Sequence, residues 1–176
     1  HVLITGDRDP LSGWSTLSAG TLLYGLYLNE ASHQIRSLEM RGLHDAARKY
    51  LDAFVAGQSA GKMVGRFTDA TGALRYVQLG TPDKPELAGS HYNLDHGFGL
   101  WMLNEHFRFT RDRPWLTKTA PAMIAACDFI TRQRQQPAGV DLLDTADVRW
   151  GIGLMPPGHL EDPPEWHRWF AVNAYA

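Results

Sequence analysis

Residues 93–110 read NLDHGFGLWMLNEHFRFT, and residues 115–133 read WLTKTAPAMIAACDFITRQ. The first stretch is apolar on most faces, which is typical of a helix buried among neighbouring elements. The second places apolar residues at spacings of three and four with polar residues between them, which is typical of a helix with one side facing solvent. A short break at residues 111–114 separates the two stretches. Together they predict a hairpin of one inner and one outer helix, and hence an all-α fold.

The same order occurs earlier in the chain. An apolar stretch with small residues predicts an inner helix from Gly13 to Glu30. After a break near Ser32, an amphipathic stretch predicts an outer helix over residues 35–57, with Gly42 as a candidate break inside it. The first hairpin therefore has the same inner and outer order as the second.

The two hairpins form a repeat. Residues 40–58 align with residues 115–133, which corresponds to a period of about 75 residues. A third inner helix begins within residues 166–175 and has no stop signal, so we expect the chain to be a fragment of a longer protein. The sequence predicts one domain over residues 1–176, made of antiparallel α-hairpin repeats with four helices and the start of a fifth.

Composition narrows the class of protein. The chain has 176 residues, 44% of them hydrophobic, and its net charge is −2 with Lys and Arg scattered along the sequence, so nucleic acid is not an expected partner. The longest apolar stretch, at residues 22–28, is far shorter than the roughly 20 residues that cross a bilayer, so no membrane partner is expected. Cys127 is the only cysteine and is predicted to lie in the core.

The links between the predicted helices differ in length. Those from an inner to an outer helix are short, whereas those from an outer to the next inner helix, at residues 58–92 and 133–165, are long. In an antiparallel array all the long links lie on one side, here called the rim, where the inner helices begin. Residues 65–68 and 73–77 flank the turn sequence DATG at 69–72, which predicts a small β-hairpin in the first long link. Long structured links are often functional, and the helix dipoles give the rim partial positive charge.

Three motifs accompany this alternation of helices: YNLDHG at residues 92–97, TRDRPWL at 110–116 and GLMPPG at 153–158. With these motifs the chain resembles the six-hairpin glycosidase superfamily, whose members are (α/α)6 toroids. The resemblance spans nearly the whole chain. It implies a glycoside hydrolase that acts on an oligosaccharide or polysaccharide, and it implies that this chain forms only part of a ring.

Glycoside hydrolysis uses two carboxyl groups, one to protonate the leaving oxygen and one to activate water or attack the sugar. Asp95, Glu161 and Asp162 are the candidate catalytic carboxyls, since all three lie on rim segments. Acids in a first helical turn also stabilise the helix through its dipole, and that purely structural role is open for Asp95. Glu165 is more simply explained as the cap of the next helix.

Aromatic and polar residues beside these acids supply candidate sugar contacts. Tyr92, Asn93, His96 and Trp166 are predicted to bind substrate, because aromatic faces stack on the apolar face of a pyranose while polar side chains bond its hydroxyls. The alternative for the aromatic residues is packing in the interior of the array.

Two other classes of function stay open. On a similar toroid, sugar epimerases and uronate-processing enzymes move protons with histidines, for which His91 and His96 would be the candidates. A helical-repeat module that binds sugar or protein without reacting is the other class. The rim histidines lack the spacing of a metal site and no cofactor motif is present, so neither metal nor cofactor is expected. Exposed faces of the inner helices predict self-association of the isolated chain.

Overall fold

The computed structural model describes residues 7–8, 15–16, 27–59, 69–74, 76–78, 86–88, 94–135, 153–158 and 169–175. This part of the chain is mostly helical, which confirms the all-α class. Its helices are α1 (Leu28–Glu39), α2 (His44–Ala56), α3 (Leu94–Thr110), α4 (Arg113–Arg134) and α5 (Phe170–Tyr175). Short antiparallel strands also occur: β1 (Asp7–Arg8) pairs with β2 (Ser15–Thr16), and β3 (Tyr76–Gln78) pairs with β4 (Glu86–Ala88). No helix in these ranges combines the length and the apolar character needed to cross a membrane.

The second hairpin has nearly the predicted boundaries. α3 ends at Thr110, and α4 begins two residues after the left-handed Arg111. Asp112 caps α4, because its Oδ1 accepts a hydrogen bond of 2.9 Å from the backbone N–H of Trp115. Pro114 in the first turn of α4 lacks an N–H that would need a partner there.

The predicted boundaries of the first hairpin were wrong. α1 continues through Ser32, and the break lies at residues 40–43, which include the candidate break at Gly42. Ser32 is buried within α1, and its hydroxyl has a partner there because it donates to the Phe98 carbonyl of α3 at 3.1 Å. Within the predicted inner helix, Ser15–Thr16 forms a strand.

The inner helices α1 and α3 run parallel and in register. Asn29 bonds to Asp95, Ser32 to Phe98, and Glu39 to His106, so the separation along the chain stays at 66 or 67 residues from one end to the other. An antiparallel pair would give separations that change steadily along the interface.

The outer helices α2 and α4 also run parallel, and their paired residues are 64 positions apart in the chain. Arg48 pairs with Asp112 at 3.2 Å, and Gln58 donates to the Ala122 carbonyl at 2.8 Å. The second hairpin therefore sits beside the first as a shifted copy of it. α5 then packs against α3 on its other flank, where Tyr175 stacks on Phe98 with 4.5 Å between ring centroids.

The core lies between these helix layers. Its fully buried large side chains come from all of α1 to α4 and from the two link segments at residues 69–74 and 153–158: Leu28, Ile35, Tyr50, Leu51, Phe54, Leu74, Met102, Leu103, Trp115, Phe129 and Met155. Each such side chain contributes roughly 1.5–3 kcal/mol by leaving water.

Cys127 is exposed, which corrects its predicted place in the core. α4 buries one face, through residues such as Ala126 and Ile130, and Cys127 lies on another. An apolar neighbourhood in sequence does not determine which face of a helix a residue occupies.

The predicted β-hairpin around residues 69–72 falls only partly within the described residues. Its first strand, at residues 65–68, lies outside them, whereas Tyr76 and Val77 of its second strand belong to β3 and pair with β4. Residues 71–72 form the predicted turn, in which Asp69 Oδ1 accepts from the N–H of Thr71 at 2.8 Å.

Candidate functional site

Asp95 lies in the first turn of α3 and is completely buried. Its Oδ1 accepts a hydrogen bond of 3.2 Å from the backbone N–H of Asn29, which is in the first turn of α1. The first N–H groups of a helix have no partner within that helix, and Tyr27 at the N-cap of α1 supplies no side-chain acceptor. Asp95 therefore joins the starts of two parallel helices, whose dipoles both favour a negative charge at this point.

His96 follows Asp95 and is also completely buried. Its imidazole lies 4.8 Å from the ring of Phe129 on α4, between centroids, so it faces the outer helix. Successive residues of a helix point about 100° apart, which separates the direction of His96 from that of Asp95.

The other predicted site residues lie outside the described residues. These are the candidate carboxyls Glu161 and Asp162 and the candidate sugar contacts Tyr92, Asn93 and Trp166. Asp95 and His96 are thus the two predicted site residues for which the structure gives a position.

The second long link returns to α5 through residues 153–158. Met155 is buried, and its backbone N–H donates to Asn173 Oδ1 of α5 at 2.8 Å. The indole N–H of Trp169, just before α5, donates to the Gly158 carbonyl at 3.1 Å. The GLMPPG motif is therefore held against the start of α5.

The first long link behaves in a similar way at residues 69–74. Gly72 has φ +84°, the same value as Gly153, and each is followed two residues later by a fully buried side chain, Leu74 or Met155. Leu74 lies near the start of α3, because a Cβ on Gly99 would come within 2.7 Å of its Cδ1. Both described link segments thus reach the rim by an equivalent turn.

The glycines of the YNLDHG motif and its continuation serve close packing. A Cβ on Gly97 would overlap the carbonyl oxygen of Tyr175, and one on Gly99 would meet both Leu74 and Leu28. Glycine is therefore required at both positions by the close approach of neighbouring elements.

A second polar cluster, which the sequence pattern did not predict, lies at the opposite end of the helices. Glu39, the last residue of α1, is buried, and its two carboxylate oxygens bond to Nδ1 of His106 on α3 and Nδ1 of His44 on α2. Trp115 of α4 packs edge-on to His106, with 4.5 Å between ring centroids. One buried carboxylate therefore connects three helices, and a fourth helix covers the connection.

This cluster differs from Asp95 in access as well as in position. His106 is almost completely buried, whereas the side chain of His44 is 39% exposed. A sequence signal for the cluster would have needed the register of α1 on α3, since Glu39 and His106 are 67 residues apart. Within the described ranges, no group of three or more His, Cys, Asp or Glu side chains is arranged to hold a metal ion.

No protein-family model matches this chain, and neither a curated protein nor a solved structure matches it.

Proposed function

We propose that the chain is part of an (α/α)6 toroid of a carbohydrate-active enzyme, a glycoside hydrolase whose site lies at the rim. The observation that carries the proposal is the position of Asp95, a buried carboxylate at the joined starts of two parallel inner helices. Such a position holds a carboxyl group in a fixed geometry on rigid elements, as acid and base catalysis requires.

The arrangement of the helices supports the toroid. Inner helices that run parallel and in register, each with an outer helix on its flank, are the arrangement that a ring of repeated hairpins requires. The step from α1 to α3 is followed by contact between α3 and α5. The two link segments at residues 69–74 and 153–158 both meet inner helices at the rim, which is the side where a substrate would enter.

In this proposal Asp95 is one of the two carboxyl groups of the reaction or orients the substrate. Glu161 or Asp162 supplies the other carboxyl from the second long link. Tyr92, Asn93 and Trp166 contact the sugar. His96, predicted with them as a sugar contact, is buried against Phe129 and in this proposal supports the first turn of α3 from the side of α4.

The Asp95→Asn variant distinguishes a catalytic role of Asp95 from its structural role as the acceptor that connects α3 to α1. Asparagine keeps an oxygen that can accept the N–H of Asn29, but it has no ionisable carboxyl group. We expect the full-length protein to lose at least about 10²-fold in turnover of its oligosaccharide, since general acid or base catalysis contributes that much or more. The stability of this variant to urea should stay close to that of the unchanged protein.

Asp95→Ala and Asp128→Asn are the matched controls. Asp95→Ala removes the acceptor as well as the carboxyl, so both turnover and stability should fall. Asp128 is exposed on α4, and its amide variant should behave like the unchanged protein in both measurements. Full turnover by a folded Asp95→Asn variant would remove Asp95 from the mechanism and leave it the structural role alone.

A further inference from the structure

The end of the helices opposite the rim carries a compact apolar and basic surface. The links α1–α2 and α3–α4 lie side by side there, because His44 lies 6.4 Å from Phe109 between ring centroids and Arg48 pairs with Asp112. We call this surface the link-end patch. It consists of the exposed residues Met40, Arg41, Leu43, Phe109 and Arg111.

Positive charge is concentrated around the link-end patch. Residues 36–49 and 105–118 contain eight Lys and Arg against four Asp and Glu, although the whole chain has a net charge of −2. Basic residues that are scattered along the sequence are thus brought together near the two links.

The acids of these two stretches do little to offset that charge at the surface. Glu39 is buried against two histidines, Glu105 is buried and pairs with Arg108 at 2.7 Å, and Asp112 caps α4 and pairs with Arg48. Asp45 is the one exposed acid in these two fully described stretches. Arg41 and Arg111 form no ion pair with a described residue. Among the described residues, the patch therefore carries two positive charges without an ion-pair partner.

Contacts beneath the surface hold the link-end patch in place. The buried Glu39 carboxylate bonds to both His44 and His106, which fixes the α1–α2 link to α3. The cation–π contact of Arg111 with Phe107, at 5.9 Å from the ring centroid, holds its guanidinium near the α3–α4 link. A surface that is already ordered loses little side-chain entropy when a partner binds.

We propose that the link-end patch docks an acidic segment of a partner protein that carries at least one large apolar residue. Its composition favours this occupant, because Met, Arg and aromatic residues are enriched in protein interfaces. The basic clusters that bind anionic membranes contain roughly four to eight Lys and Arg, whereas the five patch residues include two. The patch lies at the end of the array away from Asp95. The proposal is therefore independent of the proposed function at the rim.

The test is selection of peptides from a random displayed library on the immobilised full chain, followed by measurement of the Kd of enriched peptides by fluorescence anisotropy. We expect enrichment of Asp and Glu around an aromatic or aliphatic residue. Arg41→Glu combined with Arg111→Glu should weaken these peptides by at least about tenfold, since juxtaposed like charges are strongly unfavourable. Asp95→Asn should leave their binding unchanged.

Met40→Ser and Ile124→Ser form a matched pair for the apolar part of the patch. Met40 is 67% exposed in the patch and Ile124 is 61% exposed on α4, so neither change should disturb the core. Met40→Ser should weaken the peptides several-fold, and Ile124→Ser should not. Circular dichroism and urea unfolding establish that each variant is folded.

Several results would overturn the proposal. No enrichment, enrichment of peptides without acids, or binding that survives the double charge reversal in folded protein would each do so. Binding that depends on the patch but is found only with phosphatidylserine vesicles, or only with a single-stranded oligonucleotide, would assign the patch to a different class of partner.

Discussion

Gly72 and Gly153 allow the cost of a left-handed turn to be separated from the cost of close packing. Both residues have φ +84°, so alanine at either position adopts a conformation that costs roughly 1–2 kcal/mol. A Cβ on Gly153 meets nothing within 4 Å, whereas one on Gly72 overlaps the carbonyl oxygen of Ala125 and lies 2.7 Å from its carbonyl carbon.

The added overlap at Gly72 forces the 69–74 segment away from α4, with a further cost of about 1–3 kcal/mol or more. The hydrogen bonds that Gly72 makes with Ser59 and Gln58, both shorter than 3 Å, lie on that segment and would be strained as well. We therefore expect Gly153→Ala to lower the free energy of unfolding by about 1 kcal/mol and Gly72→Ala by about 3 kcal/mol or more.

Urea unfolding followed by circular dichroism measures both free energies, provided that the slope with denaturant is the same in each variant. Equal losses for the two variants would refute the close contact between the 69–74 segment and α4. A larger loss for Gly153→Ala would show that the second link is the more tightly packed of the two.

Two further predictions concern buried polar groups. Glu39→Ala should lower the free energy of unfolding by about 3 kcal/mol, because it leaves His106 buried without its carboxylate. His44→Ala should lower it by about 1 kcal/mol or less, since His44 is partly exposed. Similar urea midpoints for Glu39→Ala and the unchanged protein would contradict the contact of Glu39 with the two histidines. Burial raises the pKa of the Tyr50 phenol above its ordinary value of 10.0, so the folded state keeps this proton at a pH where the unfolded state loses it. The resulting stability is present below about pH 10 and is lost as the pH rises through the folded-state pKa. The urea midpoint should therefore fall less steeply between about pH 8 and about pH 11 for Tyr50→Phe than for the unchanged protein. Parallel pH profiles of the two proteins would argue against a buried phenol.

The second hairpin was predictable from local sequence because its signals agree. The apolar inner stretch ends at Thr110 as predicted, and α4 begins at Arg113, within the predicted break at residues 111–114. The first hairpin was not predictable in this way, because Ser32 resembles a break in sequence but is satisfied inside the helix by the carbonyl of Phe98. That contact depends on a residue 66 positions away.

The polar clusters show the same limit. The position of Asp95 at the rim followed from its place in the first turn of α3, and its bond to Asn29 required the register of α1 on α3. The Glu39 bridge depends on that register and on the true end of α1, which the predicted boundaries missed. The first turn of α3 was readable in the sequence, whereas the contacts that two helices share were not.

The most direct test of a carbohydrate site at the rim is hydrogen exchange of the full-length protein with and without a panel of neutral and acidic oligosaccharides. We expect slower exchange at residues 28–32 and 94–98, where α1 and α3 begin around Asp95, and unchanged exchange at residues 40–43 and 109–112. Protection confined to the link end, or no protection with any oligosaccharide of the panel, would contradict it.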